Sequence, residues 1–436
     1  MKPPIIKNIK TTPFWWEAAE PEYISSAVVP TEGDVGIIGA GFAGITAALL
    51  LARAGRNVVV FDSMRPGEGA STRNGGICSG NVKYSFKSLI QTAGLEHAKA
   101  IFSEGIEARK ALSDFISSED IDCDFSPVGR FDGANSHRDY EALEIETDLL
   151  NKHLNFGAEM ITKNDQYKYI GTDVYSGGRF RPDVAGLHPG KFYKGLLQKA
   201  LDAGVTVLNK TKVIGLEEEA KKFVVQTPFG KTNVRACIVA TNGYTTEVTK
   251  WLRRRIISIP SQIVATEILS DEMMAILMPK KCMIGDTRNL YNYYRPSPDG
   301  RRLIFGGRRG ADTNDNIRKC FHLYKNLVEI FPEIEGIKLT HTWWGYTGYT
   351  FDFFPHLAVH NNIHYATGFC GSGVVWAPWL GRKVAEIILN DKKTVKTVFS
   401  QNCFPTRRFY SGNPWFVPLL IKWYGFKDLI KYGRSY

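Results

Sequence analysis

The stretch GDVGIIGAGFAGITAALLLARAGRNVVVFD, residues 33–62, constrains the fold more than any other part of this 436-residue chain. It reads as a short apolar strand, a turn with G-x-G-x-x-G spacing, an apolar helix, a second strand and an acidic residue. In such a turn Gly39 permits the tight bend, Gly41 lets the backbone approach a pyrophosphate, and Gly44 lets the helix lie close to the strand. The stretch therefore predicts a Rossmann-like βαβ unit that binds a dinucleotide.

The residues after the glycine turn refine this prediction. The amide dipoles at the start of the helix, predicted over 42–54, favour a phosphate charge, and Gly55 stands where a left-handed helix cap is expected. Asp62 ends the second strand and suits a pair of ribose hydroxyls, whereas it would repel a 2′-phosphate. NAD and FAD share this arrangement, so the motif alone leaves both dinucleotides open.

Length and charge narrow the class of protein. A chain of 436 residues exceeds one ordinary domain, and we expect two intertwined domains. The formal net charge is +11, but the basic residues are dispersed and form no basic helix face or recognition motif. We therefore expect no nucleic-acid partner. The positive charge is better explained if it attracts small anionic molecules.

The cysteines and the hydropathy pattern suggest where the protein works. The seven cysteines are scattered, odd in number and form no C-x-x-C, which argues against disulfides and a metal site. No apolar run of about eighteen residues could span a bilayer, and the N-terminus lacks the apolar core of a signal peptide. These features predict a cytoplasmic protein with no transmembrane segment.

Three later stretches are rich in small residues. The run RPGEGASTRNGGICSG, residues 65–80, is either a flexible loop or a backbone cradle pressed against a flat ligand. An apolar strand predicted over 236–240 ends in Thr-Asn-Gly, as at the carboxyl edge of a doubly wound sheet. A glycine-rich turn over 368–373 leads into a second apolar helix. Two glycine-framed helix starts suit an extended ligand held from both ends, as FAD would be.

Together these stretches resemble the D-amino-acid oxidase (DAO) family of FAD-dependent amine oxidases, and within it the gamma-glutamylputrescine oxidase branch. Besides the glycine motif, the resemblance is carried by GASTRNGG (69–76), ATNGY (240–244), YYRPSPDGRRLIFGG (293–307), TWWGYTG (342–348), TGFCGSGV (367–374) and WYGFKDLI (423–430). It favours FAD over NAD. It also implies an α/β fold in which a Rossmann-like FAD-binding domain is interleaved with a substrate domain built on a mixed or antiparallel sheet.

On this basis we predict the following organisation. Residues 1–32 form an N-terminal arm; 33–100, 187–250 and 354–395 form the FAD-binding domain; 101–186 and 251–353 form the substrate domain; and 396–436 form a C-terminal extension, which either docks on the protein's own surface or lies on a membrane surface. The oligomeric state is not predicted.

The resemblance also implies which residues bind the cofactor. The expected FAD-binding residues are Gly39, Gly41, Phe42, Ala43, Gly44, Asp62, Ser63, Ser71, Thr72, Arg73, Asn74, Gly75, Gly76, Val213, Thr241, Gly243, Gly371, Gly373 and Val374. Val213 is expected to pair with the adenine. Some relatives attach flavin covalently through a histidine or a cysteine, and the corresponding positions here hold Asn74 and Gly345. We therefore predict non-covalent FAD.

The implied reaction is oxidation of the C–N bond of a small amine that carries a carboxylate, giving an imine and then an aldehyde, with oxygen or another electron acceptor. We expect Ser372, Tyr349 and Trp343 near the reacting atoms and Arg295 on the substrate carboxylate. Aromatic walls would favour the neutral amine, because burial disfavours charge. The candidate walls are Tyr291, Tyr293, Tyr294, Trp343, Trp344, Tyr346 and Tyr349, of which about half are expected to be core residues.

Two departures from the family pattern leave the acceptor open. Ser372 stands where close relatives have a histidine, and the strand at 303–305 lacks the lysine that assists oxygen activation in sarcosine oxidases. Without a cation near the ring, reduction of oxygen is expected to be slow. The alternatives are a dehydrogenase that passes electrons to a quinone or carrier protein, and a non-catalytic flavoprotein that serves in assembly.

Overall fold

The computed structural model of the protein describes residues 4–24, 28–219, 222–307, 316–389, 395–400 and 403–433. Its strands are β1 (Ile5–Lys10), β2 (Glu32–Ile38), β3 (Val58–Phe61), β4 (Ile77–Cys78), β5 (Arg130–Gly133), β6 (Glu159–Ile161), β7 (Gly178–Arg181), β8 (Ala185–Gly186), β9 (Thr206–Leu208), β10 (Gly215–Glu219), β11 (Lys222–Thr227), β12 (Gly230–Val239), β13 (Ile257–Thr266), β14 (Met283–Asp286), β15 (Tyr293–Pro296), β16 (Leu303–Gly307), β17 (Leu339–Tyr349), β18 (His356–His360) and β19 (Ile363–Thr367). Its α-helices are α1 (Phe42–Arg53), α2 (Ala70–Arg73), α3 (Phe86–Ala93), α4 (Leu95–Ser118), α5 (His137–Leu154), α6 (Pro189–Asp202), α7 (Lys250–Arg253), α8 (Asp271–Leu277), α9 (Asn316–Ile330), α10 (Gly373–Leu389) and α11 (Val417–Tyr432).

An eight-stranded sheet carries the predicted βαβ unit. Its main path runs β10-β11-β12-β2-β3-β9, and β19 pairs with both β12 and β18. The pairs β12–β2, β2–β3 and β3–β9 are parallel, so their carboxyl ends meet at one edge. All four residues of β3 are buried, as expected for a strand covered on both faces.

Helix α1 follows the glycine turn and packs against α6 and α10. It is buried almost all round and ends before Gly55, which has a φ of +79°, so the predicted cap is confirmed. A Cβ at Gly44 would overlap the carbonyl oxygen of Gly39, and a Cβ at Gly381 would overlap the carbonyl oxygen of Ala43. The close approach at Gly44 was predicted from the motif. The close approach at Gly381, which joins α10 to α1, was not predicted.

A nine-stranded sheet forms the second half of the molecule. Its order is β1-β17-β13-β16-β15-β14-β5-β7-β6, and all its pairs are antiparallel except β1–β17 and β14–β5. The predicted hairpin is β15–β16, closed by a hydrogen bond from the Ser297 amide to the Arg302 carbonyl. The predicted α/β fold with two intertwined sheets is confirmed.

The predicted domain boundaries remain a prediction. The boundary at residue 100 falls inside α4, which packs against α3 and α10. Strand β1 of the arm joins the nine-stranded sheet, and the next segment buries Trp15 and Trp16. All seven cysteines are free thiols, and within the described ranges no helix is both long and apolar enough to cross a membrane.

Candidate active site

Two adjoining cavities lie where the carboxyl edge of the eight-stranded sheet meets the nine-stranded sheet. The first cavity runs from the α1 turn and the end of β3 to the start of α10, and the second lies between that point and the strands β14, β15 and β17. They share the lining residues Ala70, Asn74, Tyr346, Thr347, Gly371 and Val374. An elongated ligand in the first cavity would therefore present one end to the second.

The glycine turn forms one wall of the first cavity. Gly39 has a φ of +105°, which favours glycine, and a Cβ at Gly41 would lie 3.0 Å from the Ser71 hydroxyl. That hydroxyl accepts a hydrogen bond from the Phe42 amide at 2.9 Å. The side chain of Ser71 thus ties the second glycine-rich stretch to the start of α1.

Asp62 lies at the same end of the first cavity. Its two carboxylate oxygens accept hydrogen bonds from the amides of Ala40 and Met64, both at 2.8 Å. Burial raises the pKa of this carboxyl to about 6, against the lowering effect of the two amides. Each oxygen retains acceptor capacity, which suits ribose hydroxyls. Val213 lines the same cavity.

Three tryptophans donate hydrogen bonds to residues 72–74, here called the loop between the cavities, which includes the end of α2. The indole N–H of Trp15 donates to the Asn74 carbonyl at 2.8 Å, and that of Trp343 donates to the Arg73 carbonyl at 2.9 Å. Trp16 donates to the Thr72 hydroxyl at 2.9 Å. Trp343, expected near the reacting atoms, is instead fully buried and lines neither cavity. Its hydrogen bond ties β17 to the carbonyl of Arg73.

The opposite end of the first cavity is formed by the turn before α10. Asn242, at a positive φ of 43°, accepts a hydrogen bond from the Gly368 amide at 3.0 Å and so joins the end of β12 to this turn. Gly371 also has a positive φ, of 95°. Ser372 is buried, lines the second cavity, and has its hydroxyl 3.4 Å from that of Ser79.

The expected cofactor residues divide by position. Those that line the first cavity are Gly39, Gly41, Phe42, Ala43, Asp62, Ser63, Ser71, Asn74, Val213, Thr241, Gly371, Gly373 and Val374. Arg73 and Gly75 line only the second cavity. Gly44, Thr72, Gly76 and Gly243 line neither and act through packing or hydrogen bonds around the walls. The glycine cradle, the buried acid and the second glycine-framed turn fit a flavin dinucleotide.

Aromatic side chains form part of the second cavity. Of the seven candidate walls, Tyr291, Tyr293 and Tyr346 line it. Tyr294 is fully buried and its hydroxyl lies 2.9 Å from that of Tyr175, so it belongs to the core. Tyr349 is buried and lines neither cavity, although its ring lies 5.8 Å from the Lys83 ammonium.

Charged residues also line the second cavity. Besides the predicted Arg73, they are Lys83, Arg130, Arg288 and the acid Asp286, none of which was predicted. Arg288 is 5% exposed, and its Nε lies 3.7 Å from an oxygen of the buried Asp286 carboxylate. Burial raises the pKa of Asp286 to about 6 even though Arg288 opposes this effect. The lining of the second cavity therefore carries more basic than acidic side chains.

Arg295, expected to hold the substrate carboxylate, has a different position. It is buried, lines neither cavity and donates hydrogen bonds to the carbonyls of Gly76, Leu187 and Pro296 at 2.8–3.0 Å. Burial lowers the pKa of its guanidinium to about 10. Its contacts stabilise the loop around Gly76 and give no support for direct substrate binding.

The fold and the first cavity define a dinucleotide-binding protein of the Rossmann-like class, with a second cavity beside the dinucleotide site. The family model described as DAO, FAD dependent oxidoreductase, matches residues 34–387. The chain belongs to this family, and the prediction of an FAD-dependent oxidoreductase is confirmed.

Individual relatives span most of the chain. It is 30% identical over 366 residues to a probable oxidoreductase OrdL of Haemophilus influenzae, covering 82% of this chain and 83% of the relative. It is 29% identical over 366 residues to the gamma-glutamylputrescine oxidoreductase of Escherichia coli, covering 82% and 84%. Among solved structures, glycine oxidase from Geobacillus kaustophilus superimposes with a TM-score of 0.73 at 18% identity, covering 87% of this chain and 99% of that one.

Proposed function

We propose that the chain binds FAD non-covalently along the first cavity and oxidises the C–N bond of a carboxylate-bearing amine in the second. The proposal rests above all on the six residues that line both cavities, since they place a substrate chamber directly beside one end of the dinucleotide site. Asp62 and Val213 would hold the adenosine end, the glycine turn the pyrophosphate, and Gly371 and Val374 the ring end. Bound FAD supplies a two-electron acceptor for the carbon next to the amine nitrogen.

Non-covalent binding is supported by the residues at the two attachment positions. Asn74 donates its side-chain amide to the carbonyls of Ala70 and Ser71, and its oxygen accepts from the Gly76 amide. Gly345 offers no side chain. Neither position carries a nucleophile, so acid denaturation is expected to release all the flavin into the supernatant.

The tyrosine walls and the cations would give the substrate its orientation. Tyr291, Tyr293 and Tyr346 partly desolvate the amine and so favour its neutral, reactive form. Arg288 is the best candidate for the carboxylate, because its planar fork suits a bidentate contact and it is buried in the cavity wall. A substrate with an amine at one end and a carboxylate at the other, such as gamma-glutamylputrescine, matches this arrangement.

Oxygen is the proposed acceptor. The described strand β16 carries no lysine, as the sequence indicated, but Lys83 lines the second cavity and its ammonium lies 4.9 Å from the Tyr291 ring centroid. A cation in this chamber stabilises negative charge that develops on oxygen during its reduction. A dehydrogenase that uses a quinone or carrier protein is the second candidate, favoured by the absence of the lysine from β16.

The test is the flavin absorption spectrum of the purified protein before and after anaerobic addition of gamma-glutamylputrescine. We expect rapid bleaching, followed by recovery of the oxidised spectrum when air is admitted. Bleaching that recovers only with a quinone would select the dehydrogenase. A flavin spectrum that no amine or N-methylated amino acid bleaches would refute the proposal and favour a non-catalytic assembly role.

A further inference from the structure

Helix α11 is docked on the protein by one face only. The carboxylate of Asp428 is fully buried and accepts hydrogen bonds from the amides of Asn289 and Leu290, both at 3.0 Å, and from the Asn289 side chain at 2.7 Å. Lys431 pairs with Asp139. Because Arg288 immediately precedes these contacts, the inner face of α11 is anchored to the segment that lines the second cavity.

The opposite face of α11 is an exposed apolar surface. Leu419, Trp423, Phe426 and Ile430, here called the outer stripe, are spaced four, three and four residues apart and so lie along one side of the helix. Each is more than half exposed, at 63%, 53%, 51% and 69%. The rings of Trp423 and Phe426 lie 6.1 Å apart. The docked helix thus presents large apolar side chains to the exterior.

The C-terminal segment that carries the outer stripe has almost only positive charges. Residues 396–436 contain seven lysines and arginines but a single acid, Asp428, which is buried against the protein. Lys422 and Lys427 on α11 are exposed, and Trp415, at 62% exposure, precedes the helix. Exposed Trp, Phe and Leu side chains flanked by lysines are the composition of helices that lie in the interface of an anionic bilayer.

We propose that the outer stripe of α11 binds the surface of a membrane that contains anionic lipids, with the helix lying parallel to the bilayer. The aromatic and aliphatic side chains would enter the boundary between headgroups and acyl chains, and the lysines would contact the lipid phosphates. A second copy of this chain could also cover an apolar stripe, but the exposed Lys422 and Lys427 would then lie close to their own duplicates. The charge therefore favours the lipid surface.

The experiment is flotation of the FAD-loaded, full-length protein with phosphatidylcholine vesicles, with and without phosphatidylglycerol. We expect flotation with the anionic vesicles and its loss at high salt. Trp423→Glu should weaken binding at least about tenfold, since a charge replaces a side chain that the bilayer would bury. Lys422→Ala and Lys427→Ala should each weaken binding to the anionic vesicles about fivefold. The matched control is Phe229→Glu, which changes an apolar residue on the β11–β12 turn that is also more than half exposed; this variant should bind as the wild type does.

Each alternative has a distinct result. Flavin absorbance and melting temperature should stay unchanged in every variant, because the substituted side chains are exposed. Failure of the wild type to float with either vesicle overturns the proposal, as does equal weakening by Phe229→Glu. A dimer in solution that Trp423→Glu converts to a monomer, without vesicle binding, would show instead that a second copy covers the stripe. None of these results depends on which amine the enzyme oxidises.

Discussion

Replacement of Arg288 by glutamine separates carboxylate recognition from the rest of catalysis. Glutamine keeps most of the length and the hydrogen-bonding ability of the side chain but removes its charge. The guanidinium is 5% exposed, so little water is available to take its place beside a substrate carboxylate. We expect the catalytic efficiency toward gamma-glutamylputrescine to fall, mainly through a higher KM.

The size of the effect follows from the burial of this group. A hydrogen bond to a charged partner contributes about 1.5–3 kcal/mol, which corresponds to a loss of about 10- to 150-fold in kcat/KM. The Nε of Arg288 also lies 3.7 Å from the Asp286 carboxylate. The positive charge of Arg288 lowers the pKa of Asp286 and so opposes the rise that burial causes. Its removal should therefore raise the pKa of Asp286 further above about 6, so that Asp286 is more often neutral near neutral pH.

The assay compares two substrates in two proteins. Steady-state kinetics with gamma-glutamylputrescine and with putrescine, which lacks the carboxylate, should show the loss for the first substrate only. Arg295→Lys is the matched control, since Arg295 donates only to backbone carbonyls, and it should lower thermal stability without changing the preference between the substrates. Equal losses for both amines in Arg288→Gln would refute the assignment of the carboxylate to this residue.

Three further perturbations test the cofactor site and the C-terminal helix. Gly44→Ala should yield protein with little FAD, because its Cβ would overlap the Gly39 carbonyl oxygen; the absorbance ratio of flavin to protein measures this, and full flavin content would contradict the close-approach argument. FAD should dissociate faster at pH 5 than at pH 7, because protonation of Asp62 below its raised pKa of about 6 removes acceptor capacity from the ribose site; flavin fluorescence follows the release, and Asp62→Asn should lose this dependence. Asp428→Ala should cost about 2–4 kcal/mol, since it leaves three donors unpaired; a lower melting temperature and faster tryptic cleavage at Lys422 would report it, and unchanged cleavage would argue against this anchor.

The dinucleotide half of the fold was predictable because its motif is local. The turn at 39–44, the capping glycine and the strand-end acid lie within thirty residues, and each has one physical task. The hairpin of β15 and β16 was predictable for the same reason, since Ser-Pro-Asp-Gly has strong turn propensity. The fold therefore followed from sequence patterns, whereas the family and the FAD dependence followed from the resemblance to the DAO family, and all three are confirmed.

The second cavity was harder to predict because its walls come from distant segments. Lys83, Arg130 and Arg288 lie on three separate parts of the chain, and nothing in their local sequence shows that they face one cavity. Arg295 lies in a β-hairpin, and alternation along a strand does not show which side faces a ligand and which a neighbouring loop. The sequence offered only a weak indication that Arg288 lines a cavity, namely that it follows the acid Asp286 at the end of β14.

The hydrogen bonds of the tryptophans were not predicted from the sequence. Trp343 was expected near the reacting atoms because large aromatic residues often line amine pockets, but its indole N–H satisfies a backbone carbonyl of the loop between the cavities. The same is true of Trp15 in the N-terminal arm. Sequence patterns do not reveal which backbone carbonyl requires a donor, since that depends on tertiary contacts.

The residues that line the first cavity are far apart in the sequence, and this affects when the site can form during synthesis. Its lining begins at Ile38 and ends at Ala377, so its closure depends on contacts of very long sequence separation. Such contacts form late in folding. A nascent chain would contain the glycine turn at 39–44 early. It would lack the turn before α10, at the opposite end of the cavity, until nearly nine-tenths of the protein had been synthesised. A complete flavin site is therefore expected only late in synthesis, after the first βαβ unit has been made.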